Sequence, residues 1–130
     1  MKKVKIIVVL LSFVLTAHAQ TKKVQSKPFS NYTEYKDLIF VSGQIGNADA
    51  GFNEEARQAF RNIGEILKQA GSSMKQILSV TVYLRNIQKI EEFNSIYRSY
   101  FEPPFPARTC VVVDDLVQHA NVEISVIAGK

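Results

Sequence analysis

The stretch Glu54–Gly71 reads EEARQAFRNIGEILKQAG. Its apolar residues Ala56, Ala59, Phe60, Ile63, Ile66, Leu67 and Ala70 recur at offsets of three and four, which gathers them along one face of a helix. Asn53 is placed to cap the start, Glu54 and Glu55 suit the positive end of the helix dipole, and Gly71 stops the run. A stripe of this kind needs a second layer to cover it.

The flanking sequence supplies a sheet. Ile77–Leu84 is rich in β-branched residues, with Val80, Val82 and Leu84 on one face and Ile77, Thr81 and Tyr83 more mixed; it predicts a central strand. Leu38–Val41 reads as a strand leaving at Ser42-Gly43 into a turn-rich loop, Asn47–Gly51. A second helix is predicted from Lys89 to Phe101, with Ile90, Phe93, Tyr97, Tyr100 and Phe101 as its inner stripe; Pro103, Pro104 and Pro106 follow its end. Thr109–Val113 and Val122–Ala128 read as two more strands, with the loop Asp114–Asn121 making them a hairpin with a long connection. A weaker strand over Val24–Phe29 completes the order β, β, α, β, α, β, β. The expected fold class is α+β, a mixed sheet with both helices on one face. The other face must then be polar or be buried by another subunit, so homo-oligomerisation is the physical expectation.

The chain has 130 residues, enough for one domain, with 16 basic and 12 acidic groups. That basic excess sits at the start. Residues 1–19 carry Lys2, Lys3 and Lys5, an apolar run Ile6–Leu15 and the small-x-small site Ala17-His18-Ala19, the pattern of a secretory signal peptide. The alternative, a buried N-terminal strand, explains less of it. The apolar run is too short to span a membrane, and no cysteine lies near the cleavage point to carry a lipid. Cleavage after Ala19 leaves residues 20–130 as a single exported domain, periplasmic or secreted, with a net charge of +1. An argument for nucleic acid from charge thereby loses its basis. His119 becomes the only histidine, which excludes a multi-histidine metal site, and Cys110, the only cysteine, is expected to be buried in an oxidising compartment.

Four features carry possible chemistry. Arg108 enters a strand behind Phe105-Pro106-Ala107, where a rigid guanidinium fork suits a carboxylate; a structural salt bridge is the alternative. Glu123 alternates with Val122 and Ile124, so it stands in a pocket, at an interface, or on the outer face of the sheet. Burial there raises a carboxyl pKa and favours acid–base work. At Ser42-Gly43 a ligand can approach the backbone, unless the pair is a plain strand-ending turn. Asn94 lies beside the second apolar stripe, where a local hydrogen bond is the commoner role.

Together these segments resemble the Rid family of small imine deaminases, also called the reactive intermediate deaminase or YjgF-type family. The matching stretches are LIFVSGQIG (Leu38–Gly46), EARQAFRNIGEILKQAGSS (Glu55–Ser73), VTVYLRNI (Val80–Ile87), EEFNSIYRSYF (Glu91–Phe101), FPARTCVVV (Phe105–Val113) and VEISVIA (Val122–Ala128). The resemblance implies a chorismate-mutase-like subunit, a homotrimer with sites in the clefts between subunits, and no metal or cofactor. It implies hydrolysis of 2-imino and enamino acids, of the 2-iminobutanoate and 2-iminopropanoate type, to 2-keto acids and ammonia. Arg108 would bind the carboxylate and Glu123 would activate water. Ser42, Gly43, Asn94 and Cys110 would line the pocket. Phe29, in Lys27-Pro28-Phe29, falls where the family commonly has a tyrosine, so a ring is kept and a hydroxyl lost. Such a protein has small 2-imino or 2-keto carboxylates as partners, and neither nucleic acid nor membrane after cleavage. The alternative from another class is a non-catalytic carboxylate-binding module of the same fold. An endoribonuclease ranks below both.

Overall fold

The computed structural model describes residues 27–130. The expected signal peptide, 1–19, and the polar segment up to residue 26 lie outside the described residues. Five strands and two helices follow in order: β1 (Tyr32–Tyr35), β2 (Leu38–Gln44), α1 (Phe52–Gln69), β3 (Ile77–Leu84), α2 (Ile90–Arg98), β4 (Ala107–Val112) and β5 (Val122–Gly129). The strands form one mixed sheet in the order β1-β2-β5-β3-β4. Only the β3–β4 pair is parallel; the other three are antiparallel.

Both helices pack on one face, as expected. The stripe Ala56, Ala59, Phe60, Ile63, Ile66 and Leu67 of α1 and Phe93, Ile96 and Tyr97 of α2 bury the inward residues of β2, β3 and β5. Phe60 is the hub, with Phe93 at 6.0 Å and Tyr100 at 4.6 Å between ring centroids. Helix α1 closes with a Schellman arrangement: Ser72 N–H donates to the Leu67 carbonyl and Gly71 N–H to that of Lys68, with Gly71 at φ +78°. The opposite face carries Phe40, Ser79, Thr81, Tyr83, Val111, Glu123, Ser125 and Ile127 and no helix.

Several local expectations need correction. Of the expected strand Val24–Phe29, residues 24–26 lie outside the described residues and 27–29 are non-strand, where Pro28 could not donate to a ladder; the first strand among the described residues is Tyr32–Tyr35. Strand β1 instead folds back on β2 over Lys36-Asp37, with Lys36 at φ +53°. Strand β2 runs on through Ser42 and Gly43 to Gln44, with a bulge between Val41 and Gln44. Asn53 does not cap α1: Gly51 holds that position, and the Asn53 amide donates to Glu92 Oε1 of α2 at 2.7 Å. The second helix ends at Arg98 rather than Phe101.

The predicted hairpin between the last two strands is also absent. Helix α2 acts as a crossover, bringing β4 back parallel to β3 at the sheet edge, as strand–helix–strand units do. Strand β5 buries every second residue from Val122 to Ala128, whereas β4 has no buried residue. The more apolar strand therefore takes the centre, between β2 and β3.

The entry to β5 is held by a buried carboxylate. Glu55, on α1, is fully buried. It accepts from the Asn121 backbone N–H at 2.6 Å and from the Asn121 side-chain amide at 2.8 Å. Arg85 N–H donates to the Asn121 carbonyl at 3.1 Å. Removing the shared acceptor of two partly buried donors costs about 1–3 kcal/mol. Glu55→Ala is therefore expected to destabilise the fold by about that amount in urea unfolding; a loss below about 0.5 kcal/mol, the range of a plain surface change, would contradict the anchoring role.

Candidate active site

The six expected site residues that sit on strands or helices fall into two groups, and strand register decides which. Arg108 pairs with Val80 and Cys110 with Val82 in the parallel β3–β4 ladder. Paired residues share a face, so both point to the helix side of the sheet. Glu123 pairs with Tyr83 and is flanked by the inward-facing Val122 and Ile124; it points to the open side. Strand β3 separates β4 from β5, which adds about 10 Å across two strand spacings. Arg108 and Glu123 of one subunit cannot converge on one small molecule.

The first group lies between α2 and β4. Arg108, Asn94, Tyr97, Arg98, Phe105 and Pro106 line an open cavity of about 320 Å³. The Arg108 guanidinium stands 4.7 Å from the centroid of the Tyr97 ring and 6.0 Å from that of Phe93, a cation–π seat that restricts the long side chain. Asn94 reaches Glu91 Oε1 through its amide nitrogen at 3.5 Å, while its oxygen is buried with no partner. Cys110 is half-buried, less than expected. Burial pushes its thiol pKa up against the opposing pull of Arg108, which keeps the sulfur protonated and a poor nucleophile.

The second group lies at the β2 bulge. A Cβ added at Gly43 would collide with the Glu123 carboxylate and sit 2.8 Å from its carbon. Glycine at this position is what lets the carboxylate rest over the strand. Ser42 donates its hydroxyl to the Ser30 carbonyl at 2.7 Å, and its N–H donates to the Asn31 carbonyl at 3.0 Å. The Ser42 hydroxyl thus fastens the segment that follows Phe29 and keeps only acceptor capacity for a ligand. Phe29 is itself exposed.

The sequence reading missed Tyr97 and Phe105 as cavity walls. Both are aromatic, and Tyr97 sits in an apolar stripe that reads as core; the one local signal is its i, i+3 spacing from Asn94. Among the described residues no cluster of three or more His, Cys, Asp or Glu side chains is placed to hold a metal ion.

A one-sided helical layer on a mixed sheet, with an arginine lining a cavity beside the second helix and a glutamate on the open face, defines a class of small α+β proteins. The family model described as Endoribonuclease L-PSP matches residues 20–130, and the chain belongs to this Rid/L-PSP family. It is 39% identical to a 2-iminobutanoate/2-iminopropanoate deaminase of Bos taurus, over 78% of this chain and 79% of that protein. It is 40% identical to a RutC family protein of Aquifex aeolicus, over 79% of this chain and 89% of that one. The crystal structure of RidA from an Antarctic Psychrobacter superposes with a TM-score of 0.76 at 27% identity, covering 80% of this chain and 89% of that chain. The chorismate-mutase-like α+β subunit expected from the sequence is thus the one observed.

Gly43→Ala is expected to displace the Glu123 carboxylate from the bulge while leaving the β2–β5 ladder in place. A crystal structure of that variant with Glu123 unmoved would contradict the contact.

Proposed function

We propose that this protein is a hydrolytic deaminase of small 2-imino acids and their enamine tautomers, with each active site built from two subunits. The observation that carries this reading is the opposite facing of Arg108 and Glu123. Each group forms half of a site, one with a cation for a carboxylate and one with a base for water. A second copy docked on the uncovered sheet face brings the halves together, and three copies in a ring close the assembly without a free end. The deaminase names of relatives near 40% identity supply the substrate class.

In the complete site Arg108 holds the substrate carboxylate through a bidentate pair. Glu123 of the neighbouring subunit orients a water molecule and takes its proton as the oxygen attacks C2. The proton passes to the nitrogen, giving a carbinolamine. Collapse of that adduct forms the C=O bond, breaks the C–N bond and releases ammonia. Positioning supplies most of the effect, because the C=N carbon is already electrophilic. Asn94, Cys110, Ser42 and Phe29 shape the walls. Residues 1–19 act as a secretory signal, so the mature protein works outside the cytoplasm, periplasmic or secreted.

A non-catalytic carboxylate-binding module is the second reading. The committed Ser42 hydroxyl and the missing hydroxyl at Phe29 favour it, since both reduce the polar groups free to handle water. Ribonuclease activity ranks lowest, given a mature net charge of +1.

An amino-acid oxidase generating 2-iminopropanoate in the presence of semicarbazide separates the readings. Wild type is expected to suppress trapping of the imine, and Arg108→Ala and Glu123→Gln are not. Glu123→Gln is expected to retain binding of 2-oxobutanoate. Co-refolding Arg108→Ala and Glu123→Gln chains in equal amounts is expected to restore about a quarter of wild-type activity, the share of interfaces pairing an intact Arg108 with an intact Glu123. No recovery would exclude the shared site; no suppression by wild type would leave only the binding module.

A further inference from the structure

Tyr97 stands in the Arg108 cavity with a side chain only 5% exposed. Phe60, Phe93, Phe101 and Phe105 surround its ring at centroid separations of 4.5–6.3 Å. The ring is therefore fixed in one place. Its hydroxyl is buried and has no hydrogen-bond partner. Such a group costs stability that phenylalanine of the same shape would not, and the aromatic cage would accept phenylalanine equally well. The oxygen does nothing for the fold that the ring does not do without it.

The neighbour of that ring is Arg108, whose guanidinium lies 4.7 Å from the ring centroid. Arg108 is exposed, and its side chain makes no hydrogen bond or ion pair among the described residues. Of this pair Tyr97 is fixed by its aromatic cage, whereas the Arg108 guanidinium has only aromatic rings as partners and keeps its hydrogen-bond donors free for an anion. A carboxylate that pairs with the guanidinium would lie against the cavity wall that Tyr97 forms. Asn94, one turn earlier on α2, lines the cavity with a second unpartnered atom, its amide oxygen.

We propose that Tyr97 is a further substrate-binding residue, whose hydroxyl donates a hydrogen bond to the carboxylate that Arg108 holds. This rests on the carboxylate-binding role given to Arg108 above. Burial pushes the phenol pKa up, against the opposing pull of Arg108, so the hydroxyl keeps its proton and remains a donor. The fork and the phenol together supply three donors to one planar anion, enough to select a free carboxylate over its ester or amide.

The test compares wild type, Tyr97→Phe, Arg108→Ala and the double variant by calorimetric titration with 2-oxobutanoate and by thermal unfolding. Tyr97→Phe is expected to unfold at or above the wild-type temperature, yet to bind about tenfold or more weakly, the loss of one hydrogen bond to a charged group. In turnover its KM is expected to rise with kcat held, the pattern of a ground-state contact. In the Arg108→Ala background the same change is expected to add nothing, since the anion it serves is gone. Wild-type affinity in Tyr97→Phe alongside lost affinity in Arg108→Ala would overturn this proposal and leave the Arg108 reading standing. A lowered unfolding temperature in Tyr97→Phe would make the hydroxyl structural and overturn it as well. Failure of wild type itself to bind would bring down the Arg108 reading and this inference with it.

Discussion

Alternation of side chains across the two ladders of β3 governs this molecule. The parallel ladder to β4 puts Arg108 level with Val80, on the face that the helices cover. The antiparallel ladder to β5 puts Glu123 level with Tyr83, on the face they leave open. No rotamer carries a side chain through a hydrogen-bonded sheet. Shifting β5 by one residue would turn Glu123 to the other face, but would also expel the buried residues of β5 from the core. The facing of Glu123 is thus held by the same hydrophobic burial that holds the fold, and that of Arg108 by the parallel ladder to β3.

That constraint explains why an arginine sits on an edge strand at all. An edge strand is where a second chain can come alongside, and its side chains border both the helical layer and the neighbour. Strand β4 also follows a crossover helix, so α2 supplies the back wall of the Arg108 cavity without a long loop. On the other side, the β2 bulge and Gly43 clear space for Glu123, and the Glu55–Asn121 clamp fixes the chain two residues before it. The backbone of each half of the proposed site is therefore held by the subunit's own fold.

Much of this was legible locally. The α1 stripe, the two-residue alternation of β5 and the single helical layer all depend on contacts whose periodicity repeats within a short window, and all are observed. The hairpin expectation failed because strand pairing is a choice among distant partners, and the loop Asp114–Asn121 looks the same whichever strand it leads to. Glu55 read as a dipole-matching residue, since its partner lies 66 positions away. Arg108 and Glu123 stood out as candidates in the local pattern and in the family resemblance, but their opposite facing was not legible. It follows only once β4 is known to pair with β3 rather than β5.

The proposed division of the site between subunits also bears on how the chemistry would be controlled. A lone subunit would offer an anion-binding cavity without a base, and a base without a bound substrate. Water near Glu123 would then have no fixed electrophile to attack, and a carboxylate on Arg108 would have no oriented water. Since imines already hydrolyse in solution, the benefit of the proposed site would lie in alignment, and alignment would exist only in the assembly. Docking of one subunit's β4 edge against the open sheet face of the next would bury exposed apolar side chains such as Phe40 and Val111 and bring Arg108 to Glu123 in one step. On this reading, the apolar surface that drives association and the geometry that drives catalysis are two uses of the same uncovered face.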